Sequence, residues 1–380
     1  MQRVRMSPVQ KSGVSEVKDR FLESESCFEP LISGLPDDVA LNCLLRLPVE
    51  FHSTGRTVCR RWCNLFGNKG RFFTERKEMG FKDPWLFVFS FNKCNGKIQW
   101  HVLDLVNLTW HTIPAMPCKE KVCPYSFRCV SVPGDGSVVV FGGVAADGDC
   151  PLNLAFKFDM FSDRWIVMKK MITPRTCFAS GVIGGKVYMA GGTACNRFEL
   201  DSVEVMDPKD GVWHPAGNMG TTMTCYDAAV LDGKLFITEG WFWPFYVVPR
   251  GQVYDPETNI WEGMEPGLRE GWTGSSVVVF GHLFVVSEHE RTKLKVYNSS
   301  NDTWETVRGA TLPEQICKPF VVKGCNDKIY VIGRDLNVAI GFIYQYSTDK
   351  RLDFMVQWCV VDGPDGFSNL TPSSAQIVYA

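Results

Sequence analysis

The stretch ASGVIGGKVYMAGG at 179–192, with MDPKDGVW following at 206–213, decides the fold. It opens small and β-branched, turns at Gly184-Gly185, runs apolar again and ends on a second glycine pair. The central glycines mark a tight turn between two strands, and the terminal pair marks backbone that must approach a neighbour closely. MDPKDGVW closes one strand on Asp207, turns, and opens another at Trp213. The whole reads as four short strands joined in sequence.

The unit recurs. DAAVLDGKLFITEG at 227–240 precedes YDPETNIW at 254–261, and VVVFGG at 138–143 and SSVVV at 275–279 repeat parts of it. Tryptophans fall at 110, 165, 213, 261, 304 and 358, at intervals of 55, 48, 48, 43 and 54 residues. Asp104, Asp159, Asp207, Asp255 and Asn298 each lie six residues before the tryptophan of their unit. Six four-stranded units at this period predict a six-bladed β-propeller over residues 80–380. The repeated Trp, Asp and Gly positions are read as structural, with the tryptophans packed between blades. The first unit, WLFVFSF, IQWHVLDLV and TWHTIP, lacks an innermost strand, while the chain ends in the lone strand SSAQIVYA at 373–380. That strand is expected to complete the first blade, since two open edges invite aggregation. The last unit has no clean Asp-to-Trp spacing.

Upstream the texture is helical. Residues 1–30 are polar and read as disordered. LISGLPDDVALNCLLRLPVE at 31–50 predicts a helix from Pro36 to Leu47, with Val39, Cys43, Leu44 and Leu47 on one apolar face. TVCRRWCNLF at 57–66 predicts a second helix with Val58, Trp62, Leu65 and Phe66 on one stripe, and RFFTERKEMG at 71–80 a third. A small all-α domain over 31–79 therefore precedes the propeller, and a unit that small leans on a partner or on its neighbour domain.

Composition narrows the function. Of 380 residues, 45% are hydrophobic and 22% charged, with a formal net charge of −2. That balance argues against a non-specific nucleic-acid or membrane-surface binder. No apolar run approaches a membrane span, and the opening MQRVRMSPVQKSG is not a secretory signal. Fifteen cysteines without a CxxC pair fit reduced thiols of the cytoplasm or nucleus and no zinc site. The sequons at Asn107, Asn298, Asn301 and Asn369 are then chance matches.

The frame LPDDVALNCLLRLP…VCRRWCNLF resembles an F-box, and the Gly-Gly, aromatic-Asp and Trp repeat resembles kelch. Together they resemble the plant-type F-box/kelch-repeat proteins over residues 31–380. The resemblance implies a substrate-receptor subunit of a Skp-cullin-F-box ubiquitin ligase, itself not the catalyst. By matching position it implies that Leu35, Pro36, Leu47, Pro48, Val58 and Trp62 face the Skp adaptor, and through it cullin, while the propeller holds an unknown client protein. Two departures bear on adaptor affinity: Cys43 stands where a larger aliphatic is common, and Gly55 stands within the second helical stretch where leucine is usual.

Strands of a blade alternate in direction, so the loops joining second to third strands and blade to blade share one rim. These loops are the long and varied ones, which makes this rim the expected client face. Arg175, Tyr226, Trp241, Trp243, Phe245, Arg269, Trp272 and Arg334 are the residues expected there, being arginines and aromatics of the kind that dominate protein interfaces. Arg175 and Arg269 could equally hold blade junctions, and the aromatic run 241–246 could fold inward. Catalysis finds no support: the six histidines do not converge, and HExxH, GxSxG, P-loop and dinucleotide motifs are all missing. No metal or cofactor is expected. The alternatives are a kelch scaffold outside the ubiquitin system, or a small-molecule receptor with a ligand in the propeller's central channel.

Overall fold

In a computed structural model of the chain, the described residues are 30–47, 51–67, 72, 75, 76, 78–80, 83–117, 122–132, 136–145, 150–160, 162–241, 247–288, 292–348 and 351–379. The expectations for residues 1–29, Pro48, Trp243 and Phe245 lie outside them. By its internal contacts the chain divides into two compact units, Met1–Leu65 and Phe66–Ala380.

The first unit is helical: α1 spans Asp37–Leu45, α2 His52–Val58, and α3 Arg60–Gly67 continues into the second unit. Pro36 sits at the N-cap, and Asp37 and Asp38 fill the first turn, where their charge complements the helix dipole. The buried face of α1 is Ala40, Leu44 and Leu45, not the expected Val39–Cys43–Leu44–Leu47 stripe, for Val39 and Cys43 are exposed. Two apolar faces compete in this short helix, and only one is covered. The single helix expected over 57–66 is also corrected. Cys59 is extended (φ −157°, ψ 168°) and separates α2 from α3, so Val58 and Trp62 stand on different helices.

The second unit is mainly β, built as six sheets that are antiparallel apart from one short outer strand. Blade two holds Val122–Val132, Ser137–Ala145, Ala155–Asp159 and Arg164–Val167. Blade three holds Ala179–Ile183, Lys186–Ala190, Val203–Asp207 and Val212–Ala216. Blade four holds Asp227–Leu231, Lys234–Thr238, Gly251–Asp255 and Ile260–Gly263. Blade five holds Gly274–Val279, His282–Ser287, Leu294–Asn298 and Thr303–Thr306, preceded by the short helix α4, Pro266–Gly271. Blade six holds Val321–Cys325, Lys328–Ile332, Val338–Thr348 and Arg351–Val361, with Arg308–Gly309 added in parallel at its outer edge. In blade one, Leu370–Tyr379 from the chain end lies innermost and pairs antiparallel with Pro84–Asn92, followed by Ile98–Asp104 and Trp110–Thr112.

The repeat has a local cause. Asp104, Asp159, Asp207, Asp255 and Asn298 each accept a backbone N–H two or three residues onward through the side-chain oxygen, at 2.8–3.2 Å. These Asx turns start the hairpin between third and fourth strands. The residue two before each tryptophan then takes positive φ: Leu108, Asp163, Gly211, Asn259 and Asp302. The indole that follows is tied back to the preceding connector. Trp165, Trp213, Trp261, Trp304 and Trp358 donate to the carbonyls of Pro114, Lys169, Gly217, Leu268 and Ala310 at 2.8–3.1 Å. Trp110 is the exception: its indole N–H is buried without a partner, and Phe367 meets its ring edge-on at 5.4 Å. The terminal glycine pair of blade three also has a steric cause. Gly191 has φ +62°, and a Cβ there would lie 2.7 Å from the Met223 carbonyl oxygen.

Blade six departs from the repeat because its outer hairpin is long. Its third and fourth strands have eleven residues each, against five and four in blade four, and Trp358 pairs with Gly341 well away from the turn. The Asp-to-Trp spacing is therefore lost.

Apolar clusters fill every junction around the ring. They include Phe87 on Phe158 between blades one and two, and Phe141 with Met206 between two and three. Ala190 with Leu235 joins three and four, Ala229 with Leu283 four and five, Phe284 with Val331 five and six, and Ile332 with Leu86 six and one. Each fully buried valine, leucine, isoleucine, phenylalanine or methionine among them contributes roughly 1.5–3 kcal/mol.

Candidate functional site

The helical unit carries apolar side chains on its outside. Leu35 is 37% exposed, Val39 42%, Phe51 50% and Val58 59%. Pro36 is exposed, Leu47 and Trp62 are half-buried. The entry to this unit is clasped. Asp37 accepts from the Leu31 N–H at 2.8 Å and from Arg61 at 2.7 Å, and the Trp62 indole donates to the Leu31 carbonyl at 2.6 Å. The Leu31 N–H first, and Arg61 second, hold the Asp37 carboxyl below the usual carboxylate range. Trp62 thus braces the unit from within, and of the expected adaptor-facing set Leu35, Pro36 and Val58 are the exposed members. Val39 and Phe51 were missed: Val39 fits a core stripe in the sequence, and Phe51 falls between the predicted helices.

The rim formed by the loops between second and third strands and between blades sorts its expected residues in three ways. Arg175 and Trp272 are corrected outright, since both are 0% exposed. Arg175 pairs with buried Glu204 at 2.7 Å and donates to the carbonyls of Gly191 and Ser202, both at 2.9 Å. Glu204 also accepts the N–H groups of Ile172 and Thr173. This is a junction brace, closed to any client. The Trp272 indole donates to Asp227 at 3.0 Å, and its ring packs in the core between blades four and five.

Tyr226, Trp241, Arg269 and Arg334 do reach the rim surface. Tyr226 is 45% exposed and its hydroxyl donates to Glu288 at 2.6 Å. Desolvation, then the Glu288 charge, push the phenol above its usual range. The half-buried Trp241 donates to the Glu270 carbonyl at 2.9 Å, which ties this indole to α4. Arg269 is half-buried, 3.7 Å from Glu270, while Arg334 is exposed.

Further rim residues emerge only in three dimensions. Arg250 spans two loops, contacting Glu239 at 2.7 Å and Glu199 at 3.1 Å. Beside these residues in the chain stand Phe198, 69% exposed, and Val247 and Val248, 76% and 47% exposed. Blades three and four therefore present large apolar side chains around an acid–arginine–acid clasp. Each of these residues lies in a loop without periodicity, so the sequence offers no signal beyond loop length.

Among the described residues no three His, Cys, Asp or Glu side chains come together in a way that could hold a metal ion. His101 is buried against Phe367 at 4.3 Å, and desolvation lowers its pKa to about 4. No helix among the described residues is long and apolar enough to cross a membrane.

Comparison with known proteins agrees with this architecture. Residues 32–74 match the F-box domain family, and residues 174–220, which contain all of blade three, match the Kelch motif. The F-box/kelch-repeat protein At1g30090 of Arabidopsis thaliana is 54% identical over 352 residues, covering 93% of this chain and 87% of that protein. The F-box protein AFR of the same plant is 37% identical over 373 residues, covering 97% of this chain and 98% of its own length. With an F-box at its start, six blades behind it and relatives that match along nearly the whole length, this chain belongs to the F-box/kelch-repeat proteins.

Proposed function

We propose that the chain is the substrate-recognition subunit of a Skp-cullin-F-box ubiquitin ligase, working in the cytoplasm or nucleus. The helical unit docks the Skp adaptor and through it cullin, the propeller rim holds the client, and the bond-making chemistry belongs to the partners. The observation that carries the reading is the outward apolar surface of the F-box unit, where Leu35, Val39, Phe51 and Val58 are each more than one-third exposed. So much uncovered apolar surface on so small a unit suits a protein partner. For the client, the best-supported contact is the sector of blades three and four, with Phe198, Tyr226, Trp241, Val247 and Val248 around the Glu199–Arg250–Glu239 clasp. Arg269 and Arg334 flank it as secondary contacts.

The test is capture of purified Skp adaptor by the chain and by its Leu35→Ala/Pro36→Ala variant. The parent is expected to bind, and the variant to lose at least about tenfold in affinity, as truncating an interface anchor does. A folded parent that does not bind the adaptor would leave a kelch scaffold outside the ubiquitin system.

A further inference from the structure

On the propeller face opposite the client rim, the turns of blades three and four border a cavity of about 490 Å³. The turns at 183–186 and 231–234, which join first to second strands, form two of its sides. The Asx turn that starts at Asp255 forms a third. Tyr188, on the second strand of blade three, reaches the cavity from the blade junction. Its ring packs against Tyr254 of blade four, with centroids 5.6 Å apart, and only 8% of the residue is exposed.

A tyrosine with a buried ring usually finds a partner for its hydroxyl. Tyr254 donates to Asn259 at 2.7 Å, and Tyr297 of blade five to Asp302 at 2.8 Å. The Tyr188 hydroxyl makes no hydrogen bond among the described residues, and its side chain lines the cavity. Burial raises this phenol above its usual range, so it is a neutral hydroxyl at physiological pH. The charges around it are unequal. Lys186, Lys234, Asp232, Asp255 and Glu257 line the cavity. Lys234 and Asp255 satisfy each other at 3.1 Å, and Asp255 also accepts the Glu257 N–H at 2.9 Å. That leaves the carboxylates of Asp232 and Glu257 against the one ammonium of Lys186. Among the described residues neither carboxylate makes a hydrogen bond or an ion pair.

We propose that this cavity binds an organic cation, the guanidinium or ammonium group of a basic ligand, with the Tyr188 hydroxyl and the Asp232 and Glu257 carboxylates as its acceptors. Such a group brings only donors, and these three acceptors have none. The cavity's volume falls within the roughly 300–1,000 Å³ of small-ligand sites. Asp232 and Glu257 are exposed, where solvent screening keeps the contribution of each small. The partly dehydrated Tyr188 oxygen is therefore the anchor, and the two acids set the sign of the guest. The cavity lies away from the client rim, so the cation and a client need not compete. The inference concerns the propeller alone and stands whether or not the F-box docks an adaptor.

The experiment titrates N-acetylarginine amide, its neutral isostere N-acetylcitrulline amide, and putrescine into the purified full chain. Saturation-transfer NMR is the readout, at low and constant ionic strength because exposed charges are screened by salt. The parent is expected to bind the arginine amide saturably and the citrulline amide at least about tenfold more weakly. Tyr188→Phe keeps the packed ring and removes only the hydroxyl, and should weaken arginine binding at least about tenfold. Asp232→Asn/Glu257→Gln should weaken it by a similar factor, and asparagine suits the left-handed backbone at 232 (φ +50°). Glu314→Gln, an exposed acid of the connector into blade six, should leave binding unchanged. Binding of putrescine as well supports a general organic-cation site that a free polyamine could fill, and binding of the arginine amide alone supports an arginine side chain of a peptide. No saturable binding of either cation, equal binding of the citrulline amide, or full binding by Tyr188→Phe overturns the proposal. Should Tyr188→Phe fail to fold, the Asp232→Asn/Glu257→Gln variant on the exposed turns decides alone, and full binding by it sinks the idea. Adaptor capture is read separately, so its failure leaves this result untouched.

Discussion

At the scale of single residues, burial decides between recognition and construction. Arg175 and Trp272 have the composition of interface anchors, but both are wholly enclosed. Arg175 holds Glu204 and two backbone carbonyls, and Glu204 holds two N–H groups of the connector that leads into blade three. Removing one member strands the other charge. Arg175→Met is therefore expected to destabilise the protein by about 3–5 kcal/mol, measured by urea unfolding. Replacing exposed Arg334 by methionine should change stability by less than about 0.5 kcal/mol. Equal effects of the two would mean that Arg175 is not the brace described. Arg250 is the residue with the opposite fate. It was unremarkable in the sequence, yet it joins Glu199 of one loop to Glu239 of the next at the rim.

At the scale of elements, blades two to five each close by a turn and a tie. The Asx turn sets the outer hairpin, and the tryptophan behind it fastens that hairpin to the connector 36 to 51 residues upstream. Five blades use the indole N–H in this way, while in blade one the Trp110 N–H is buried without a partner. That contrast separates the hydrogen bond from the ring packing. Trp261→Phe should cost about 1 kcal/mol more than Trp110→Phe, the difference being the bond to the Gly217 carbonyl, read from paired denaturant curves. Equal costs would assign the tryptophans to packing alone. The spacing behind this tie is what the sequence displays. Blade six hides it because its longer hairpin moves the turn away from Trp358.

At the scale of the whole propeller, closure depends on the last ten residues of the described chain. Leu370–Tyr379 supplies the innermost strand of blade one, and its residues Leu370, Ala375 and Ile377 enter the cluster shared with blade six. Ending the chain at Asn369 would uncover the edge of Pro84–Asn92 and open the blade six junction together. The truncated protein is expected to lose cooperative thermal unfolding and to aggregate, followed by calorimetry and light scattering. A truncation that melts like the parent would show that the ring does not need this strand.

The sequence by itself determined the repeat, the number of blades, the Asx turns and the F-box frame. All of these arise from short-range chemistry: a turn residue, a left-handed position and a tryptophan at fixed spacing carry their own cause. Only the tertiary structure decided which connector residues face solvent. Arg175 and Arg334 both belong to the rim loops, yet one meets buried Glu204 of blade three and the other makes no ion pair among the described residues. It also decided which stripe of α1 is covered, since Val39 and Ala40 are adjacent apolar residues and packing hides one of them.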